Sequence, residues 1–214
     1  MTLVVWSQKL LWIHLEIYLQ LSAADPKQGT AAAHKLCDSK VAGVVGHLNS
    51  GATIPAAKIY NDCGIPNITG AATNPSLTKP GYKTTYRIIA NDNALGAGLA
   101  FYAADTLKLK KVAIIDDRTA YGQGVAEVFK RTAQQKGMQI VDEQFTTDKA
   151  TDFMAILTAI KAKAPDAVFY GGMDYKAARC CDKWRNLVWA MSSSLVAMAS
   201  VQPRLPIWLL APAR

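Results

Sequence analysis

The 214 residues, half of them hydrophobic, are enough for one or two domains with a substantial core, and the composition excludes a disordered chain. A run of about 18 uninterrupted apolar residues is missing, which argues against a membrane-spanning helix. The formal charge of +8 is weighted towards the end of the chain: beyond Tyr175, six cations (Lys176, Arg179, Lys183, Arg185, Arg204 and Arg214) oppose only Asp182. With no basic stripe carrying interleaved aromatics, that charge does not indicate a nucleic-acid partner.

In chain order, Ile13, Leu15, Ile17, Leu19 and Leu21 alternate with His14, Glu16, Tyr18 and Gln20, the period of a strand. His14 and Glu16 would interrupt the apolar region of a secretion signal, so a strand without an export signal is expected. Asp25-Pro26 opens a helix as cap and first residue. The apolar run from Val41 to Gly46 reads as a buried strand, Pro55 as first-turn helix chemistry and Gly64 as the end of that helix. A second strand and loop follow from Ile65 to Pro75. This is a βαβ unit whose parallel strands send consecutive loops from one edge of a sheet. The loops carry Ser50, Thr53 and Thr73, small hydroxyl residues beside helix N-termini, a setting suited to a small anion such as a carboxylate.

Tyr82–Ile89 reads as a strand, Asn91-Asp92-Asn93 as cap and hinge, residues 93–107 as helix and Lys110–Ile115 as strand. The loop Asp116–Gly124 then leads to a helix over Val125–Lys136, stopped by Gly137. Met138–Val141 is a strand. Phe153, Ile156, Leu157 and Ile160 line one face of a helix capped by Thr151-Asp152, and Ala167–Tyr170 is a strand opening into Gly171-Gly172-Met173-Asp174. Strands alternating with helices on both sides of Asn91 predict two parallel α/β units, residues 1–91 and 92–174. Residues 175–214, rich in tryptophan, arginine and proline, show no such alternation and are expected to lie outside the fold.

The chemistry points away from catalysis. Cys37, Cys63, Cys180 and Cys181 lack metal-site spacing and read as core thiols, and His14, His34 and His47 are scattered, so neither a metal nor another cofactor is expected. Gly122-x-Gly124-x-x-Glu127 is an incomplete dinucleotide fingerprint, and Gly96-x-Gly98 lies inside a helix. Asp116-Asp117 reads as a solvated strand-end pair, and no nucleophile stands at motif spacing from a base. A nucleotide-binding α/β enzyme is therefore the weaker alternative.

Asp25-Pro26-Lys27-Gln28, Val44-Val45-Gly46-His47-Leu48-Asn49-Ser50, Gly64-Ile65-Pro66-Asn67-Ile68-Thr69, Ala71-Ala72-Thr73-Asn74-Pro75, Tyr121-Gly122-Gln123-Gly124 and Tyr170-Gly171-Gly172 together resemble the bacterial periplasmic leucine/isoleucine/valine-binding proteins. These are type I solute-binding proteins of ABC transporters. The resemblance covers about Ile13 to Asp174. It implies an α/β fold of two Rossmann-like parallel-sheet lobes, both incomplete here, closing on a ligand by hinge bending. The implied ligand is an aliphatic amino acid (leucine, isoleucine or valine), the implied partner a membrane permease, and the implied location the periplasm; without an export signal, a cytoplasmic location stays open.

Carried over by position, Ser50 and Thr73 would bind the ligand carboxylate, with Ala72 in the same turn as a further ligand-binding residue. The Ala71 carbonyl would accept from the ammonium, and Tyr121 would close over the ligand from the second lobe. Met173 stands where a tyrosine is usual, with Asp174 as a substitute. Ala24 and Asn49 replace the cysteines of the family's N-lobe disulfide. The family's signal, first strand, first helix and ammonium-pairing acid have no counterpart, so a truncated, non-functional relative is the other alternative.

Overall fold

The computed structural model describes residue 20, residues 22–173, 178–180 and 182–183, and the backbone course of 195–199. The strand expected at Ile13–Leu21 falls outside the described residues, apart from Gln20. Two parallel sheets are present. The first has the order β1-β2-β3, from β1 (Val44–Val45), β2 (Asn67–Thr69) and β3 (Thr85–Arg87). The second has the order β5-β4-β6-β7, from β4 (Lys111–Asp116), β5 (Gln139–Phe145), β6 (Ala167–Gly171) and β7 (Leu195–Ala199).

In the second sheet the alternation along β4 settles both faces. Val112 and Ile114 pack with Val125, Phe129 and Phe169, whereas Ala113 and Ile115 pack with Phe153, Leu157, Ile160 and Tyr170. A parallel strand covered on both sides needs apolar residues at every position, and β4 and β6 supply them. The first face is covered by α3 (Asp92–Phe101) and α4 (Ala120–Gln135), the second by α5 (Met154–Ala162). Gly96 lets α3 lie against α4, since a Cβ there would stand 2.9 Å from both the Val125 carbonyl and the Val128 side chain. It is a packing glycine, which disposes of it as a phosphate-loop residue.

The first sheet is covered by α1 (Pro26–Asp38) and α2 (Ser50–Asp62), whose Ala33, Leu36, Ala56 and Tyr60 form a core with Ile65. Asp25 caps α1, its carboxylate accepting from the Lys27 and Gln28 amides. None of the described helices covers the other face. Val45, Ile68 and Tyr86 align across the three strands, Ile88 follows on the same side, and Val45 and Ile88 are 91% and 73% exposed. The covered side carries the more polar Asn67, Thr69 and Thr85.

Several expectations are corrected. α2 begins at Ser50, so Pro55 lies inside the helix rather than in its first turn. α4 begins at Ala120, so Tyr121-Gly122-Gln123-Gly124 is helix, capped by the Thr119 hydroxyl accepting from the Gly122 amide. Cys37 and Cys63 are not core thiols but a disulfide joining the C-terminal ends of α1 and α2. Asp116 and Asp117 are buried, not solvated. Within residues 175–214, expected to lie outside the fold, residues 178–180 are helical, Cys180 packs in the core under α5, and β7 pairs with β6 from Leu195↔Ala167 to Ala199↔Gly171.

Two outcomes follow from these contacts. The disulfide spans 26 residues, and closing a loop of that size restricts the unfolded chain enough that Cys63→Ser should lower stability by roughly 2–4 kcal/mol in chemical denaturation. An exposed apolar row such as that on the first sheet favours association between copies. Val45→Thr with Ile88→Lys should therefore reduce the mass-average size in sedimentation without lowering the melting temperature.

Candidate functional site

Both βα turns of the first lobe end at one place. The Thr69 hydroxyl donates to the His47 carbonyl (2.9 Å) and accepts from the Ala71 and Ala72 amides (3.2 and 3.1 Å). The loop after β1 is thereby tied to the loop after β2. The Thr53 hydroxyl donates to the same carbonyl and to that of Asn49, so Thr53 is a structural group. His47 is held from the other side by Tyr60 (Nε2 to the phenol oxygen, 2.9 Å). Burial lowers the His47 pKa and pushes Tyr60 up to about 12, so both are neutral supports.

Ser50 is the first residue of α2 and its hydroxyl accepts from the Asn74 amide at 3.2 Å. Asn49, the residue before it, makes no side-chain cap to α2; its amide group points across to Met173 Sδ at 3.8 Å. The first amides of a 13-residue helix are thus left without a side-chain acceptor, beside a buried serine. Thr73 is 1% exposed; its hydroxyl lies near the Asp92 carboxyl and makes no hydrogen bond of ordinary geometry among the described residues. A buried hydroxyl in that state is one that a ligand can satisfy.

Of the sequence-derived residues, Ser50, Ala71 and Thr73 lie on these two adjoining loops. Ala72 is fully buried in a small core with Ala57 and Leu77, so its side chain supports the turn. Tyr121 is half buried against the core of the second lobe, in the first turn of α4. Asn74 brings it to the others: the Asn74 side-chain amide donates to the Ala120 carbonyl, next to Tyr121. Met173, from the loop after β6, closes the other side opposite Asn49. Asp174 lies outside the described residues.

Sequence reasoning underrated Asn74 and Asp92. Asn74 carries two signals of its role, a turn residue and a Pro at the next position, yet its reach into the other lobe depends on tertiary packing. Asp92 reads as a helix-capping residue but is fully buried at the start of α3, its carboxylate oxygens making no hydrogen bond of ordinary geometry. Burial pushes its pKa up to about 6, opposed by the nearby Thr73 hydroxyl and the Arg87 guanidinium. Burial likewise raises Asp117, against the Thr119 hydroxyl and amide and the Met173 amide, with Asp116 adding to the rise.

A carboxyl whose folded pKa lies above its ordinary 3.8 is penalised when ionised, so the cost is absent below about pH 4, grows towards pH 6 and is complete above it. Asp92→Asn should accordingly raise the melting temperature at neutral pH, by the equivalent of up to about 3 kcal/mol, with the gain disappearing near pH 4 in a pH series of thermal unfolding.

The family model of a periplasmic binding protein matches residues 22–181. An amino acid binding protein of Pseudomonas aeruginosa is 37% identical over 156 residues, covering 72% of this chain and 42% of that protein. Leu/Ile/Val-binding protein homolog 1 of Brucella abortus is 36% identical over 154 residues, with the same coverage. Among solved structures, the leucine binding protein LivK of Thermotoga maritima aligns with a TM-score of 0.80 at 25% identity, over 86% of this chain and 51% of that one. LivJ of Streptococcus pneumoniae, solved with isoleucine, gives 0.74 at 27% identity, over 83% and 49%. The chain spans less than half the length of the curated relatives it matches. Fold, loop geometry and family match agree, and the chain belongs to the periplasmic binding protein family.

Proposed function

We propose that this chain binds a branched-chain aliphatic amino acid (leucine, isoleucine or valine) between a first lobe of residues 1–91 and a second of residues 92–174. It acts as the substrate-binding component of an ABC transporter, delivers to a membrane permease in the periplasm, and performs no catalysis. One observation carries the reading: the N-terminus of α2, without a side-chain cap, stands beside the buried hydroxyls of Ser50 and Thr73. Amides and hydroxyls so placed neutralise a carboxylate without a cationic side chain, which suits a ligand that carries its own ammonium.

Ser50 and Thr73 take the carboxylate in this reading, the Ala71 carbonyl accepts from the ammonium, and Tyr121 covers the aliphatic side chain from the second lobe. The names of the relatives support an amino-acid ligand, and the Cys37–Cys63 disulfide suits an oxidising compartment such as the periplasm.

Thermal unfolding of the chain with leucine, isoleucine, valine, an acidic amino acid or NAD in separate samples tests this. A ligand at a hundredfold excess over its Kd adds about 2.7 kcal/mol, and only the aliphatic amino acids should do so. Stabilisation by NAD, or by none of them, would overturn the reading. Thr73→Ala should weaken leucine binding by roughly 1–3 kcal/mol in calorimetry; unchanged affinity would remove Thr73 from the site.

A further inference from the structure

We propose that Asn74 is a positioning residue that latches the two lobes together, its side-chain amide gripping the first turn of α4 and so setting how long a ligand is retained. The inference rests on the ligand-binding reading for its effect on affinity, but the latch itself is a contact within the protein.

Asn74 engages each of its polar groups in a different direction. Its backbone amide donates to the Ser50 hydroxyl at 3.2 Å, and its carbonyl accepts from Arg87 Nη1 at 3.1 Å. Its side-chain oxygen accepts from the Ser76 amide and hydroxyl (2.9 and 2.6 Å), which caps the short 3-10 turn Pro75–Leu77. These three keep the loop of Thr73 in place within the first lobe. The side-chain nitrogen alone points outwards, and it donates to the Ala120 carbonyl, 46 positions along the chain. One planar amide therefore holds the ligand loop with its oxygen and the opposite lobe with its nitrogen.

The surface that receives it is shaped for close approach. A Cβ on Gly124 would stand 2.6 Å from Asn74 Nδ2 and 2.8 Å from Asp92 Oδ2. Glycine at this point of α4 leaves the helix backbone bare where Asn74 and the buried Asp92 press against it. Its helical backbone dihedrals suit any residue, so the requirement for glycine comes from the contact. Of the further crossings among the described residues, the Asp92 amide donates to the Thr73 carbonyl at 2.9 Å where the chain itself passes between the lobes, and Asn49 Nδ2 to Met173 Sδ ends on a thioether, a weak acceptor. Asn74 also sits between the Ser50 hydroxyl and the turn that bears Tyr121, so separating the lobes at this bond would part the two walls of the crevice.

Asn74→Asp separates the latch from the cap. Aspartate keeps the oxygen that accepts from Ser76 and caps a turn as well as asparagine does, but it sets a carboxylate against the Ala120 carbonyl and near Asp92. Gly124→Ala attacks the same contact from the other lobe, where alanine would otherwise favour the helix. Wild type, Asn74→Asp, Asn74→Ala and Gly124→Ala are compared at about pH 8, where Asp92 is ionised. Three properties are read: melting temperature, small-angle scattering without ligand, and leucine association and dissociation rates.

The latch predicts a larger radius of gyration for Asn74→Asp at a near-unchanged melting temperature, and for Gly124→Ala together with a lower one, since its Cβ also meets Asp92 within the second lobe. It also predicts a Kd raised roughly three- to tenfold through faster dissociation, with association unaltered. If Asn74→Asp matches wild type in scattering and in rates while Asn74→Ala is impaired, Asn74 is a cap alone and the proposal is overturned. If wild type binds none of the amino acids but both variants still expand, the ligand reading fails and the latch stands. If nothing binds and the scattering of all variants is identical, both fail.

Discussion

The Thr69 hydroxyl is the tie on which the binding edge of the first lobe depends. By donating to the His47 carbonyl and accepting from the Ala71 and Ala72 amides, it fixes two loops that the chain delivers separately, one from β1 and one from β2. Parallel strands guarantee only that both loops leave the same edge of the sheet. Their mutual spacing needs a buried group with both donor and acceptor capacity, and a threonine hydroxyl at the end of β2 provides it. Ser50 and Thr73 inherit their positions from that bond, as does Asn74, which spans to the second lobe.

The electrostatics of the site follow a consistent rule. Where the two loops meet the fold presents partial charges, and it buries the carboxylates of Asp92 and Asp117 nearby. The α2 N-terminus and two hydroxyls offer donors without a formal charge, which is the arrangement the proposed zwitterionic ligand requires. Asp117, by contrast, fixes the loop after β4 through the Thr119 amide and hydroxyl (3.0 and 2.6 Å), and Asp92 stands at the base of α3 where the chain passes from one lobe to the other. Both are raised in pKa because burial opposes their charge, the expected cost of putting acids at joints that must exclude water.

The two sheets differ in how completely they are covered. β4 and β6 are enclosed by α3 and α4 on one face and α5 on the other, and Phe129 and Phe169 stack in that core with 4.0 Å between ring centres. The first sheet is covered on one face, with its apolar row of Val45, Ile68 and Tyr86 on the other. Its binding edge is nonetheless well held, because the ties around His47, Thr53 and Thr69 are polar and local and do not draw on the open face.

What the sequence determined by itself is the alternation and its punctuation. Asp25-Pro26 starts α1, Gly137 ends α4, and the Phe153, Leu157 and Ile160 spacing orients α5, because caps, turns and periodic burial act over a few residues. The parallel α/β class and the hydroxyl-bearing loops were legible for the same reason. Tertiary structure decided the rest. Cys37 and Cys63 carry no spacing signal, and they pair because α1 and α2 lie side by side. Asp116 and Asp117 look like surface acids until the sheet and α4 close over them. Leu195–Ala199 has no local grammar of its own, and its pairing comes from the exposed edge of β6. Asn74 reads as one more turn residue, and only the approach of the second lobe gives its amide a carbonyl to hold. Contacts between residues distant in sequence depend on how whole elements pack, and a short window of sequence contains no record of that.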